Sequence, residues 1–352
     1  MITLRCQPAQ EAPTEVRIGA SVLAELPQLA QGRRVFALVD RTIATQCQAA
    51  LAGTQWVWHP LPGGEALKTM ATAEAVLRAM VQAQCDRRSV VLAIGGGTIG
   101  DLGGFCASLF ARGIELWHAP TTLLAMVDSA IGGKTALNLP EGKNLIGTVH
   151  PAALVLADPA FVHSEPDAGF RSGLAEAIKM GLGLDAALFA VLESAAEQVL
   201  QRDLNLVTDI VRRSLAAKIA VVEQDPRETG LRRLLNLGHT LGHALEAHDQ
   251  GRTPHGICVA RGLWFALDVA RELGSIAEAD RQRAERLLQS YGFARTPLPA
   301  AASLMPYLAR DKKVEGASVH FALPTGIGRS EPRLVPLALL QSLLEREARG
   351  GV

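Results

Sequence analysis

Ser89-Val-Val-Leu-Ala-Ile-Gly-Gly-Gly-Thr-Ile-Gly-Asp101 is the stretch on which the fold of this chain turns. Ser89 to Ile94 is a short, apolar, largely β-branched run, the pattern of a strand buried on both faces. Glycines follow at once, and the pattern then becomes helical. Gly95, Gly97 and Gly100 have the spacing Gly-x-Gly-x-x-Gly, with Gly96 and Thr98 between them. Glycine here lets backbone N–H groups approach a pyrophosphate, and a helix N-terminus favours its negative charge. The same residues also fit a plain strand-to-helix turn, and the loop follows the second clear strand rather than the first. Asp101 is an unusual neighbour for phosphates unless it faces a sugar or nicotinamide end. Asp40, ending the earlier strand, is a candidate partner for ribose hydroxyls.

Outward from this stretch, the first half alternates strand and helix patterns. Arg34–Asp40, Ile114–Ala119 and Ala153–Ala157 read as further strands, and Ala71–Gln84 as an amphipathic helix. Such alternation predicts an α/β layer with a mostly parallel sheet. Beyond about residue 165 the period becomes helical over 170–180, 186–201, 204–223, 234–248, 257–273 and 277–291. Val319–Leu323 reads as a short strand before a turn at Pro324-Thr-Gly-Ile-Gly. The expected division is a nucleotide-binding α/β domain, 1–163, and a mostly α-helical metal- and substrate-binding domain, 164–352, with the site in the cleft between them.

Composition narrows the function. The chain has 352 residues, 48% of them hydrophobic, which is ordinary for a globular protein. Lys plus Arg equals Asp plus Glu at 35 each, so no global charge favours nucleic acid or an anionic membrane. Aromatic residues make up only 4%, which argues against base-stacking surfaces. An anionic ligand must therefore meet local clusters of charge. No apolar run is long enough to span a bilayer, and the first residues lack a secretory pattern. Cys6, Cys47, Cys85, Cys106 and Cys258 are scattered, with no Cys-x-x-Cys pair, so reduced thiols and a cytoplasmic location are expected.

The second chemical signal is Leu234-Leu-Asn-Leu-Gly-His-Thr-Leu-Gly-His-Ala244, followed by Pro254-His255-Gly256. His239 and His243 stand four apart, so a helix places both on one face. With His255 a short turn away, the three imidazoles fit a metal site, zinc above all, with a position left open for water or substrate. The alternative is a set of surface or capping histidines.

Several blocks in register then make the chain resemble the 3-dehydroquinate synthase family. They are Gly95–Asp101, Arg112-Gly113, Pro120–Leu124, Val127-Asp-Ser129, Gly132-Gly-Lys-Thr135, Gly142-Lys-Asn-Leu-Ile-Gly147, Gly173–Lys179, Arg227-Glu-Thr-Gly230, Leu235–Thr240 and Arg310-Asp-Lys-Lys313. Gly64-Glu65 and Lys68 add an early nucleotide motif. The resemblance implies an N-terminal nucleotide-binding domain, a helical metal domain, NAD and a divalent ion (Zn2+ or Co2+) as cofactors, and a homodimer.

It also implies roles. Glu176, His239 and His255 become the metal ligands, and His243 turns toward substrate, revising the three-histidine reading. The implied substrate is 3-deoxy-D-arabino-heptulosonate 7-phosphate. Arg232 and Lys218 are assigned to its carboxylate. Lys134, Asn144, His243 and Lys312 are assigned to its phosphate, with Arg112 reaching from a second subunit and Lys313 an alternative to Lys312. Glu228 and Asn236 orient the reacting carbons, and Lys179 joins the catalytic cations. NAD contacts are implied at Asp40, Glu65, Lys68, Gly96, Gly97, Thr98, Asp101, Thr121, Thr122, Asp128, Lys134 and Lys143. Two positions depart from the family pattern. Ile257 replaces an acid after His255-Gly256, a loss that could weaken metal binding, and Leu139 replaces a polar residue after Asn138. The rival readings are a cyclase making 2-deoxy-scyllo-inosose or a valiolone-type cyclitol, a metal-dependent alcohol dehydrogenase, and a non-catalytic NAD-binding paralogue.

Overall fold

The computed structural model describes residues 1–6, 13–309 and 314–348, and the chain divides into two compact units at Glu165–Pro166. Lys312 and Lys313 lie outside the described residues.

In the first unit the strands are β1 (Ile2–Cys6), β2 (Thr14–Ile18), β3 (Val35–Asp40), β4 (Val57–Leu61), β5 (Val90–Gly95), β6 (Glu115–Pro120), β7 (Lys134–Leu139), β8 (Gly142–Val149) and β9 (Leu154–Ala157). Seven of them form one sheet in the order β1-β2-β9-β6-β5-β3-β4, in which the β1–β2 pair is antiparallel and the rest are parallel. β5 and β9 are buried at every position and β3 at all but its last, which is why they read as unbroken apolar runs. The helix Gly97–Leu109 lies close on β5: a methyl added at Gly103 would sit 3.0 Å from the Ala93 Cβ.

From β3 the chain runs outward to β4. It then returns to place β5 on the other side of β3 and continues through β6 toward β9. The connections after β3 and β5 therefore diverge, opening a crevice at the carboxyl ends of these two strands. Asp40 ends one and Gly95 the other, with Val39 opposite Ile94.

β7 and β8 form a separate antiparallel hairpin that the sequence pattern did not reveal. Their glycines, lysines and asparagines interrupt the apolar run or alternation that marks the other strands. Only Thr135 and Leu137 in β7 are buried, against the helix Gly97–Leu109.

The second unit contains the helices Asp167–Gly183, Ala186–Ser194, Ala196–Leu200, Leu204–Gln224, His239–His248, His255–Glu272, Glu278–Ser290, Ala301–Ala309 and Leu337–Ala348. An antiparallel sheet of β10 (Val314–Glu315), β11 (Ser318–Gly326) and β12 (Arg329–Pro336) joins them. The helices Asp167–Gly183 and His255–Glu272 are buried on almost all sides and form the centre of the unit.

Three expected boundaries are corrected. The 186–201 helix breaks at Ala195, whose backbone leaves the helical region. The 234–248 helix is a 3-10 segment, Leu231–Asn236, followed after Gly238 by a new helix that starts at His239. Gly238 has φ +77°, and a Cβ there would meet the Val259 carbonyl oxygen at 2.9 Å, so close helix packing sets this break. The 319–323 strand runs on to Gly326, into the expected turn, which narrows to Ile327-Gly328. β10 pairs only with Ser318 and Val319, so at Pro324 one side of β11 is an edge, where proline is tolerated.

Candidate active site

Gly96 is the N-cap of the helix Gly97–Leu109 and brings no side chain to cap it. The first amides of that helix therefore face outward without an intrahelical acceptor. Side chains are excluded from the loop. A Cβ at Gly97 would lie 2.9 Å from Ser129 Oγ, one at Gly96 3.2 Å from Thr122 Cγ2, and one at Gly95 2.8 Å from Ile99. A small recess bounded by Gly95, Gly96, Gly97, Gly100, His118 and Ser129 lies here. Asp128 and Ser129 belong to a single π-helical turn, Ala125–Ser129, a distortion common at functional sites. Thr122 Oγ1 accepts from the Ala125 amide at 3.2 Å. Asp40 accepts from the amide and hydroxyl of Thr42, at 2.9 and 2.7 Å.

The oddity of Asp101 has a structural answer. The Lys68 ammonium, only 3% exposed, is 2.6 Å from Asp101 Oδ2 and 2.5 Å from Asn144 Oδ1. Glu65 is 3.5 Å from the same ammonium and accepts from Asn138 Nδ2 at 2.8 Å. Asn138 Oδ1 in turn accepts from the Asn144 amide at 2.9 Å, holding Asn144 in a left-handed conformation, φ +54°. One lysine thus bridges two carboxylates beside the glycine loop and fixes the tip of the β7–β8 hairpin. Lys134, Lys143 and Arg112 are exposed.

In the second unit, Glu176, His239 and His255 bring their ligand atoms within 4.8 Å of one another. Glu176 comes from the helix Asp167–Gly183 and is 0% exposed. Its Oε1 is 3.3 Å from His255 Nε2 and 3.5 Å from His239 Nε2, with no well-aligned hydrogen bond, while Oε2 is 2.5 Å from the Lys179 ammonium. Burial alone would raise the Glu176 carboxyl, but Lys179 and His255 outweigh it and hold it at about 2. Burial works against charge on His255, yet Glu176 and Glu246 raise it to about 10. A buried anion aimed at two imidazole nitrogens suits a cation at their centre, and the one-carboxylate, two-imidazole donor set is that of zinc-type sites.

The spacing argument that grouped His243 with His239 is corrected. His243 stacks edge-on to His239 at 5.1 Å between ring centres but is exposed and stands outside the cluster. Ile257 brings no carboxylate. On the ring nitrogen of His255 that faces away from Glu176, the carboxylate is Glu246, with Oε2 3.2 Å from Nδ1, a residue the sequence reading missed. Its signal was its place two helical turns beyond His239.

In the same unit, Lys179, Lys218 and Arg232 are buried, at 2%, 6% and 3% exposure. Asp225 organises the loop that carries Arg232, accepting from the amides of Thr229, Gly230 and Arg232 and from the Thr229 hydroxyl. Glu228 in this loop is left-handed, φ +59°, and accepts from Asn236 Nδ2 at 2.6 Å. Asp225 is a second residue that sequence reading passed over.

Known structures and sequences are similar to this chain over almost its whole length. A 2-deoxy-scyllo-inosose synthase solved with carbaglucose-6-phosphate, NAD+ and Co2+ matches with a TM-score of 0.86 and 25% identity, covering 100% of both chains. ValA, the 2-epi-5-epi-valiolone synthase of Streptomyces hygroscopicus solved with NAD+ and Zn2+, matches with a TM-score of 0.88 and 29% identity, over 99% of this chain and 100% of that one. The fold and site thus define a sugar-phosphate cyclase. Family models described as 3-dehydroquinate synthase N-terminal and C-terminal match residues 58–172 and 173–314. The 3-dehydroquinate synthase of Nitrosospira multiformis is 38% identical over 97% of both chains. The chain belongs to the 3-dehydroquinate synthase family.

Proposed function

We propose that this protein converts 3-deoxy-D-arabino-heptulosonate 7-phosphate into 3-dehydroquinate and phosphate, using NAD and one divalent metal ion, Zn2+ or Co2+. The observation that carries this reading is the Glu176, His239, His255 cluster in a unit that also buries Lys179, Lys218 and Arg232. A substrate with a carboxylate and a phosphate needs cations fixed in place, and the fold holds these three.

When bound, NAD supplies a hydride acceptor regenerated in each turnover, and the metal ion a Lewis acid for the substrate oxygens. The chain's own residues bind and orient. Glu176, His239 and His255 hold the metal ion. Arg232, whose guanidinium also donates to the Pro226 carbonyl at 2.6 Å, takes the carboxylate together with Lys218. Lys134, Asn144, His243 and Lys312 receive the phosphate, with Arg112 contributed by the second subunit of a homodimer. Glu228 and Asn236, bonded to each other, orient the carbons that lose and regain hydrogen. Fixing these groups before reaction removes much of its entropic barrier. The NAD contacts are Asp40, Glu65, Lys68, Gly96, Gly97, Thr98, Asp101, Thr121, Thr122, Asp128, Lys134 and Lys143. The uncapped helix N-terminus and the side-chain-free loop support a pyrophosphate there. The scattered cysteines support a cytoplasmic location, and no helix among the described residues is long and apolar enough to cross a membrane.

The test is release of inorganic phosphate and formation of 3-dehydroquinate with NAD at catalytic concentration, run beside glucose 6-phosphate. Cyclisation of glucose 6-phosphate with no reaction of the heptulosonate phosphate would move the protein to the inosose-type cyclases.

A further inference from the structure

His255 opens the helix His255–Glu272 and is held at two points. Its backbone is fixed through Gly256, whose amide donates to Ser172 Oγ at 2.8 Å and whose missing side chain lets Ser172 approach. That contact ties His255 to the helix that carries Glu176. Its ring is fixed through Nδ1, which lies 3.2 Å from Glu246 Oε2.

An ionised carboxylate only accepts hydrogen bonds, so this contact requires the proton to sit on Nδ1. Nε2 lies 3.3 Å from Glu176 Oε1, and a metal ion bound between them would take the place of the Nε2 proton while Nδ1 keeps its own. His239 is set in the same tautomer by different means: its Nδ1 faces the Leu237 carbonyl oxygen at 3.2 Å. One imidazole is thus oriented by a neutral backbone group and the other by a charged side chain. The helix His239–His248 carries both His239 and, two turns on, Glu246, so a single rigid element sets the separation of two donors. The Glu246 side chain is 13% exposed and the His255 side chain 32%, so water screens the pair in part.

We propose that Glu246 is a positioning residue for the metal ion: it fixes the metal-binding tautomer of His255 and increases the electron donation of that ring, in a chain whose Ile257 offers no carboxylate. The inference rests on the metal reading above, and its test separates the two. Purified metal-free wild type, Glu246→Gln and Glu246→Ala are titrated with Zn2+ and with Co2+ against a chromophoric chelator, and the visible spectrum of bound Co2+ is recorded. Carboxylates in this role set metal affinity by about 10- to 100-fold. Glu246→Gln keeps an acceptor oxygen but loses the charge, so its affinity should fall by about 10-fold, with the Co2+ spectrum largely kept. Glu246→Ala should lose up to about 100-fold, with an altered spectrum, and Glu246→Asp should bind more tightly than Glu246→Ala. NAD affinity in the same preparations reports on folding and should not change. Wild-type affinity and spectrum in both Gln and Ala variants would overturn the proposal while leaving the metal site in place. A wild-type protein that binds neither ion would overturn the metal reading and this proposal together.

Discussion

Arg232 shows how a charged side chain becomes specific. It is buried, donates to the Pro226 carbonyl, and has its amide held by Asp225. A guanidinium fixed in this way can grip a carboxylate with two parallel bonds, whereas an ammonium offers only a point charge. Arg232→Ala should therefore lower kcat/KM for the heptulosonate phosphate by roughly ten- to more than a hundredfold, from the 1.5–3 kcal/mol of a charge-assisted hydrogen bond. Arg232→Lys should recover only part of that. Steady-state kinetics within about twofold of wild type for the Ala variant would remove Arg232 from carboxylate recognition. Asp225 leads to a different expectation. Burial raises its pKa, but the amides of Arg232, Gly230 and Thr229 and the Thr229 hydroxyl outweigh this and hold it at about 2. Its folded pKa lies below the unfolded value of about 3.9, so its contribution to stability is full above pH 4 and disappears as pH falls toward 2. In urea unfolding, the deficit of Asp225→Asn against wild type should shrink across that window. A deficit independent of pH would contradict the assignment.

Among the elements, the crossing of the helices His239–His248 and His255–Glu272 places two metal-site histidines together. It depends on glycine. A Cβ at Gly262 would lie 1.8 Å from the Gly238 carbonyl oxygen, and one at Gly242 3.2 Å from the Cys258 carbonyl oxygen. Gly262→Ala must push the helices apart, an overpacking that typically costs about 1–3 kcal/mol. The expected outcome is a lower melting temperature together with weaker Co2+ binding, because the same displacement separates His239 from His255. A variant with wild-type melting and wild-type Co2+ affinity would show that the histidines are not positioned by this crossing. The four-residue spacing of His239 and His243 made a helix legible here. The left-handed Gly238 that starts the helix at His239 was not, since the neighbour that requires it, the helix His255–Glu272, is formed by later residues.

On the scale of the whole molecule, the proposed chemistry predicts a cofactor that is used but not consumed. Product should far exceed the NAD supplied, with no net NADH at the end of the reaction. NADH accumulating in step with product would point instead to a dehydrogenase. NADP should bind more weakly than NAD, because the Asp40 carboxylate at the end of β3 repels a 2′-phosphate. Treatment with a chelator should abolish turnover and lower the melting temperature, since an ion that binds only the folded state stabilises it, and Zn2+ or Co2+ should restore both. Loss of turnover with no thermal shift would place the essential ion elsewhere than at Glu176, His239 and His255.

The alternation of buried strands with helices before residue 165, and the helical period after it, could be read from the chain alone. A parallel strand covered on both faces must be apolar throughout, and an amphipathic helix must repeat its apolar face, so both leave a local record. The glycine loop was legible for the same reason, because Gly95, Gly97 and Gly100 act within one turn. Glu176 was assigned from its motif and not from spacing, and Glu246 was missed altogether. It took the folded chain to show that Glu246 meets His255, that Lys68 pairs with Asp101, and that Lys134–Val149 is a hairpin. Each of these depends on a neighbour from another element. Periodicity records which face of an element is buried, but the partner met on that face is chosen by packing between segments far apart in the chain.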